Sequence, residues 1–266
     1  MQTFLKQYGA RRTGTNYLRW LIQANYHADE VVPLMHVLGD KHSPPPPFAE
    51  LWQRAQTASD PALAFVMSAT QAAPADSTSL AKPGQRNEVE RLAAPLARAY
   101  AEGALGFLIS IKDPYAWAVS VARFWGWTNR TAPLGERLRG QIAAQCQAFN
   151  GCYAAWLDLA RREPERCLLV RHEELVAEPE RVLDAIDAKF ALRRRGDAVV
   201  DLPDEADQVW WDQHEAVRTG IRFDRQYYFE KRYLQRLTPA MLETIAGAID
   251  WELVAPLGYA PVETAP

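Results

Sequence analysis

The sequence predicts a single α/β domain with a largely parallel sheet flanked by helices. Three observations predict it. Apolar runs of strand length, such as Leu105 to Ile111 and Cys167 to Val170, alternate with segments whose apolar residues recur at helical spacing. The runs that open with Phe4 and Leu105 pass through a short polar turn into a helix, the unit from which parallel sheets are wound. The chain has 266 residues, 48% of them apolar, enough to fill one large core. No internal repeat or linker interrupts it, so residues 1–260 are expected to form one domain and 261–266 a flexible tail.

Composition narrows the function classes. A net charge of −3 and a pI near 6.0 provide no overall attraction to nucleic acid or to an anionic membrane, so any basic site must be local. Cys146, Cys152 and Cys167 neither pair evenly nor show metal-ligand spacing. No apolar run reaches the length of a membrane span, and the N-terminus enters a strand without a leader pattern. The expectation is a soluble cytoplasmic protein with reduced thiols, no metal and no nucleic-acid partner.

In chain order, Phe4 and Leu5 open a strand, Gly9 to Thr15 is a tight polar loop, and Leu18, Leu21 and Ile22 mark a helix. Val31 to Leu38 suits a strand or a buried turn and ends in Gly39-Asp40-Lys41-His42-Ser43. Pro44 to Pro47 then hold the chain extended, which leaves Lys41 and His42 on a loop just past an apolar segment. Phe48 to Ala58 is expected to be a short helix and Ala62 to Ser68 a buried strand. Thr70 to Arg86 lacks periodicity and is expected to be a loop or lid, after which Asn87 caps a helix running to about Glu102.

Leu105 to Ile111 is a strand buried on both faces, leading into Lys112-Asp113-Pro114, where the proline suits the first turn of a helix. A long helix is expected from about Arg139 to Arg162. A third strand, Cys167 to Val170, precedes Arg171-His172-Glu173-Glu174-Leu175 and a helix opening near Pro179. Helices at about Gln226 to Leu234 and Pro239 to Ile249 complete the domain.

The first junction carries the strongest chemical signal. A strand-loop-helix turn points backbone N–H groups and a helix dipole at one spot, which favours an anion. Gly14 permits close backbone approach, Thr13 and Thr15 bring hydroxyls, and Arg11 and Arg12 bring fixed charge. The Walker signature, with its two spaced glycines before Lys-Ser/Thr, is absent.

Three segments together resemble the PAPS-dependent sulfotransferases, in a bacterial form of that family. Arg12-Thr13-Gly14-Thr15-Asn16-Tyr17 is similar to the family's 5′-phosphosulfate loop, Lys-Ser-Gly-Thr-Thr-Trp. Lys112, with Ser120 eight positions on, is similar to its 3′-phosphate motif of Arg and Ser. Arg171 to Leu175, followed by Glu178-Pro179-Glu180, resembles its Arg-Tyr-Glu-Asp-Leu strand and following helix.

The resemblance implies a P-loop-like fold and transfer of a sulfuryl group from 3′-phosphoadenosine 5′-phosphosulfate (PAPS) to a hydroxyl or amine. It places Arg12 where the family has a catalytic Lys, makes Arg11, Thr13, Gly14, Thr15 and Asn16 the 5′-phosphate cradle, and puts Tyr17 where a Trp stacks on adenine. It assigns the 3′-phosphate to Lys112 and Ser120, with Arg218 and Arg222 as further candidates. Lys41-His42 resembles the family's Lys-Thr-His, implying His42 as the base, with His36 as the other histidine considered. Glu173 and Glu174 serve the fold. The acceptor, a saccharide or other small metabolite, would meet the proline-rich segment, the loop at 70–86 and the aromatic run Phe124-Trp125-Gly126-Trp127. Two other readings are a P-loop kinase acting on a small molecule and a nucleotide-binding protein without catalysis.

Overall fold

A computed structural model of the chain describes residues 2–35, 37–71, 83–126, 134–202, 206–209, 216–218 and 224–263, with residues 83–85, 136, 206–209 and 216–218 described by their backbone only. A four-stranded parallel sheet lies at its centre, in the order β2 (Val31–Leu34), β1 (Thr3–Gly9), β3 (Leu105–Ile111), β4 (Cys167–Arg171). The chain leaves β1 toward β2 on one side and later crosses to β3 on the other, so the switch point of the topology falls between β1 and β3. Their carboxyl ends meet where Gly9 pairs with Ser110. Open α/β sheets place ligands at this kind of point.

Helices cover both faces. On one, Leu5, Leu108 and Val170 pack against Leu18, Leu21 and Ile22 of α1 (Thr15–Asn25) and against Val182, Leu183 and Ile186 of α8 (Pro179–Phe190). On the other, Phe4, Tyr8, Phe107 and Ile109 meet the larger cluster. That cluster includes Phe48 of α2 (Phe48–Ala55), Phe65 of α3 (Pro61–Gln71), Leu96 of α4 (Pro83–Glu102), Trp117 of α5 (Pro114–Phe124) and Trp156 of α6 (Arg139–Arg162). Successive side chains of β1 and β3 thus enter different cores, which is why β3 is apolar along nearly its whole length and why β1 is buried from Phe4 to Gly9 even at Lys6 and Gln7. A separate antiparallel pair, β5 (Ala206–Val209) and β6 (Ala216–Arg218), lies later in the chain.

Several expectations are corrected. Ala62 to Ser68 is helical, within α3. Pro61 opens that helix and the Asp60 carboxylate accepts from the Leu63 N–H at 3.0 Å, so a cap and the helix-favouring Ala, Leu and Met outweigh an apolar run too short to show its period. α4 begins at Pro83, four residues before Asn87, because proline tolerates the first helical turn. With α3 ending at Gln71, what remains of the expected loop at 70–86 is 72–82, outside the described residues. α7 (His172–Ala177) starts directly after β4, turning the Arg171-to-Leu175 segment into a helix after its first residue. Gln226 to Leu234 is not one helix but parts of two 3₁₀ turns, Arg225–Tyr227 and Arg232–Arg236, separated by Lys231 at φ 51°. Pro239–Ala248 forms α9 as expected, followed by α10 (Trp251–Val254).

Candidate anion-binding site

The loop after β1 is built mainly from backbone geometry. A Cβ added at Gly9 would lie 2.6 Å from Thr13 Oγ1 and 2.9 Å from Ser110 Cβ, so only glycine lets the loop fold back over the strand end. The Thr13 N–H and hydroxyl both donate to the Ala10 carbonyl, at 3.1 and 2.7 Å. Thr13 is therefore a buried brace of the turn. Arg12 and Gly14 both take positive φ, 77° and 83°, and Gly14 starts α1 without any side-chain cap. Alternating turns of this kind make a concave surface that suits anions. Arg11 and Arg12 are exposed, their guanidinium groups 5.7 Å from the Trp125 ring and 5.6 Å from the Phe124 ring. The Tyr17 hydroxyl donates to Asp201, which pairs with Arg225 at 2.8 Å.

The junction after β3 works through side chains. Asp113 caps α5, its carboxylate accepting from the N–H groups of Tyr115 (2.8 Å) and Ala116 (3.2 Å). The Asp113 N–H donates to Glu173, whose other oxygen accepts from the Tyr259 hydroxyl at 2.8 Å, the structural role expected of Glu173. Lys112 is 1% exposed. Its Nζ donates to Ser120 Oγ at 2.9 Å and to the Arg12 carbonyl at 3.3 Å, and lies 3.3 Å from the Tyr228 hydroxyl. Ser120 in turn donates to Ala116 O. Lys112 thus ties the two junctions together.

The third element is the loop at 40–43, pinned at the carboxyl end of β1. Gly9 N–H donates to Lys41 O at 2.9 Å, and His42 Nδ1 lies 2.7 Å from Gly9 O. A carbonyl can only accept, so Nδ1 carries the hydrogen and Nε2 keeps its lone pair. Lys41 Nζ donates to Asn16 Oδ1 at 2.6 Å, linking this loop to α1. From α6, Trp156 Nε1 donates to Ser43 O at 3.0 Å and the Cys152 thiol approaches His42 O at 3.8 Å. Buried Lys6 holds the preceding turn through Met35 O (3.1 Å) and Gly39 O (2.6 Å).

Burial shapes the protonation of the whole site. It lowers Lys112 to about 7, assisted by Arg12 and opposed by Glu173. Lys41 falls to about 8 through burial and nearby Arg19. Burial, with Lys41 alongside, pushes His42 down to about 4, so the imidazole is neutral at pH 7.

Lys41, His42, Arg11, Arg12, Gly14, Thr15, Asn16, Lys112 and Ser120 therefore gather around the ends of β1 and β3. His36 and Arg222 lie outside the described residues, as does the side chain of Arg218. Two residues were missed. His172 is buried with both ring nitrogens unpartnered, and its Nδ1 would lie 2.6 Å from a Cβ at Gly14. Tyr228 packs edge-on to His172 at 4.6 Å and over Lys112 at 4.4 Å. A histidine in Arg171-His172-Glu173 was visible as a signal, but nothing near Tyr228 in the sequence marks it. Among the described residues, no group of three or more His, Cys, Asp or Glu is placed to hold a metal.

No protein-family model and no curated protein matches the chain. Solved structures do, two of them sulfotransferase domains. One is a sulfotransferase domain from the curacin biosynthetic pathway, 13% identical over 98% of this chain and 99% of its own, with a TM-score of 0.48. The other is a sulfotransferase domain from the Synechococcus PCC 7002 olefin synthase, 17% identical over 97% of this chain and 94% of its own, with a TM-score of 0.46.

Proposed function

We propose that the chain is a sulfotransferase that moves a sulfuryl group from PAPS to a hydroxyl or amine of an acceptor, a saccharide or other small metabolite. One observation carries this reading: Lys112 Nζ donates at once to the Arg12 carbonyl of the first junction and to Ser120 of the second. Two anion cradles within two hydrogen-bond lengths of each other suit one nucleotide carrying a phosphate at each end. The residues fit such a donor. Gly14 keeps clear the space that a Cβ would fill against His172, His172 offers two unpartnered nitrogens, and Lys112, Ser120 and Arg12 are the donor types that phosphate oxygens take.

PAPS, when bound, supplies the activated sulfuryl group and a bisphosphate leaving group. The uncapped end of α1, with Gly14, Thr15, Asn16 and Arg11, would hold the 5′ end, and Tyr17, anchored by Asp201, would flank the base. Arg12 would neutralise charge on the leaving oxygen, and unlike lysine it stays protonated. Lys112 and Ser120 would take the 3′-phosphate, with Arg218 and Arg222 as further candidates. His42, its Nδ1–H committed to Gly9 O, presents Nε2 to receive the acceptor's proton, and Lys41 adds positive charge at the same loop. Against the kinase reading, Asp113, the acidic residue after β3, is engaged in capping α5.

Labelled PAPS offered with a panel of glycans, phenols, lipids and amines tests the proposal. Transfer of label to at least one class is expected, and His42→Ala should lower turnover by about 10²–10⁴-fold while nucleotide affinity stays unchanged. Phosphorylation from ATP and Mg²⁺ with no transfer from PAPS would overturn it. Tight binding of adenosine 3′,5′-bisphosphate with no turnover toward any acceptor class would favour the non-catalytic reading.

A further inference from the structure

The cradle at the end of β3 is unusual in the company its lysine keeps. Lys112 Nζ has three polar neighbours, the Arg12 carbonyl, the Ser120 hydroxyl and the Tyr228 phenol, and none is a carboxylate. The charged groups that face it come from three segments: Arg12 of the loop, Asp113 and Arg123 at either end of α5, and Glu173 of α7. Both carboxylates are already engaged, Glu173 by the Asp113 N–H and the Tyr259 hydroxyl, and Asp113 by the first turn of α5. Beside this cluster stands the His172 ring, against Tyr228, with neither nitrogen partnered. The charges facing His172, those of Lys112 and Arg12, are both positive.

Two nitrogen bases are thus enclosed beside Arg12, and the carboxylates that face Lys112, Glu173 and Asp113, only partly offset its burial and touch neither base. Resting on the nucleotide reading above, we propose that a phosphate dianion entering this cradle draws a proton onto Lys112, with His172 as second acceptor, so that nucleotide binding and proton uptake are one event. The physical cause is reciprocity. A dianion in contact with an ammonium stabilises its charged form, and by linkage the protonated site binds the dianion more tightly. Burial lowers Lys112 to about 7 and holds His172 well below its ordinary value, so the empty cradle is largely unprotonated in mildly alkaline solution. An arginine at position 112 would bind the same phosphate while already charged. The lysine makes affinity fall as pH rises.

The test is calorimetric titration with adenosine 3′,5′-bisphosphate at about pH 8, where a phosphate monoester with its second pKa near 6 is already a dianion and brings no proton of its own. Repeating the titration in Tris and in HEPES at equal ionic strength makes the dependence of the heat on buffer ionisation count the protons exchanged. Uptake of about one proton is expected, with Kd rising up to about tenfold per unit between roughly pH 7.5 and 9. Lys112→Arg should bind with that uptake removed and Kd nearly flat. Lys41 and Lys6, also lowered by burial, keep their contributions in that variant, so the difference belongs to Lys112. His172→Gln should leave the Lys112 proton in place and remove only uptake beyond it. Binding with no proton uptake by the unmodified protein overturns this inference alone, as does uptake that survives intact in Lys112→Arg. No binding at any pH overturns the nucleotide reading and the coupling with it.

Discussion

The two junctions at the carboxyl ends of β1 and β3 would meet an anion by opposite means. After β1 the chain offers backbone: Arg12 and Gly14 at positive φ, and a helix whose first residue has no side-chain cap. After β3 the helix is closed by its own Asp113, and positive potential comes instead from buried Lys112 and its hydroxyl neighbours. A helix N-terminus is therefore not an anion site merely because it follows a strand. Where an aspartate has taken the N–H groups, the anion must be met by side chains, and the site inherits their titration.

Breaking the first junction should have the largest effect. On the proposed reading, Arg12→Ala removes the charge that would face the leaving oxygen, and turnover should fall by about 10³-fold, measured as bisphosphate release at saturating PAPS. Gly14→Ala should raise Kd for adenosine 3′,5′-bisphosphate by about 100-fold, because a side chain at φ 83° is strained and its Cβ would meet His172 Nδ1 at 2.6 Å. The double variant with His172→Ala relieves the clash and should recover part of that loss. No loss in Gly14→Ala would mean that the first junction does not depend on close backbone approach.

The second junction should respond in stability before affinity. Asp113→Ala removes the cap of α5 and should cost about 1–2 kcal/mol in urea denaturation, with nucleotide Kd changed by less than about threefold. A large loss of affinity would erase the distinction between the junctions.

The smallest expected effect concerns Lys6, which burial lowers to about 7. Between that value and its ordinary 10.5, the unfolded chain binds more protons at this site than the folded one, so stability rises with pH. From about pH 7 to 8 the gain from this residue is about 1 kcal/mol, and Lys6→Met should abolish it.

Much of this arrangement was legible beforehand. Leu105 to Ile111 carries no charged residue and only Ser110 as a polar one because both faces of β3 are covered, and Pro114 and the 139–162 helix carry local signals that nothing overrides. Ala62 to Ser68 was misread because six apolar residues in a row do not reveal a period, and the deciding cap sits just outside them at Asp60. At the site, the loop residues were identifiable by type, yet Thr13 proved a brace because its hydroxyl turns back to Ala10.

By itself, the sequence determined the parallel strands, the two junctions and the positive residues set into them, because period, glycine, proline and charge are local properties written in neighbouring residues. Only the tertiary structure decided which groups share the crevice and in what protonation state. Lys112, Arg12, His172 and Tyr228 are up to 216 positions apart, between Arg12 and Tyr228, and meet only after the sheet orders its strands. The lowered affinity of Lys112 for its proton comes from the water that this meeting expels and from which charges remain facing it.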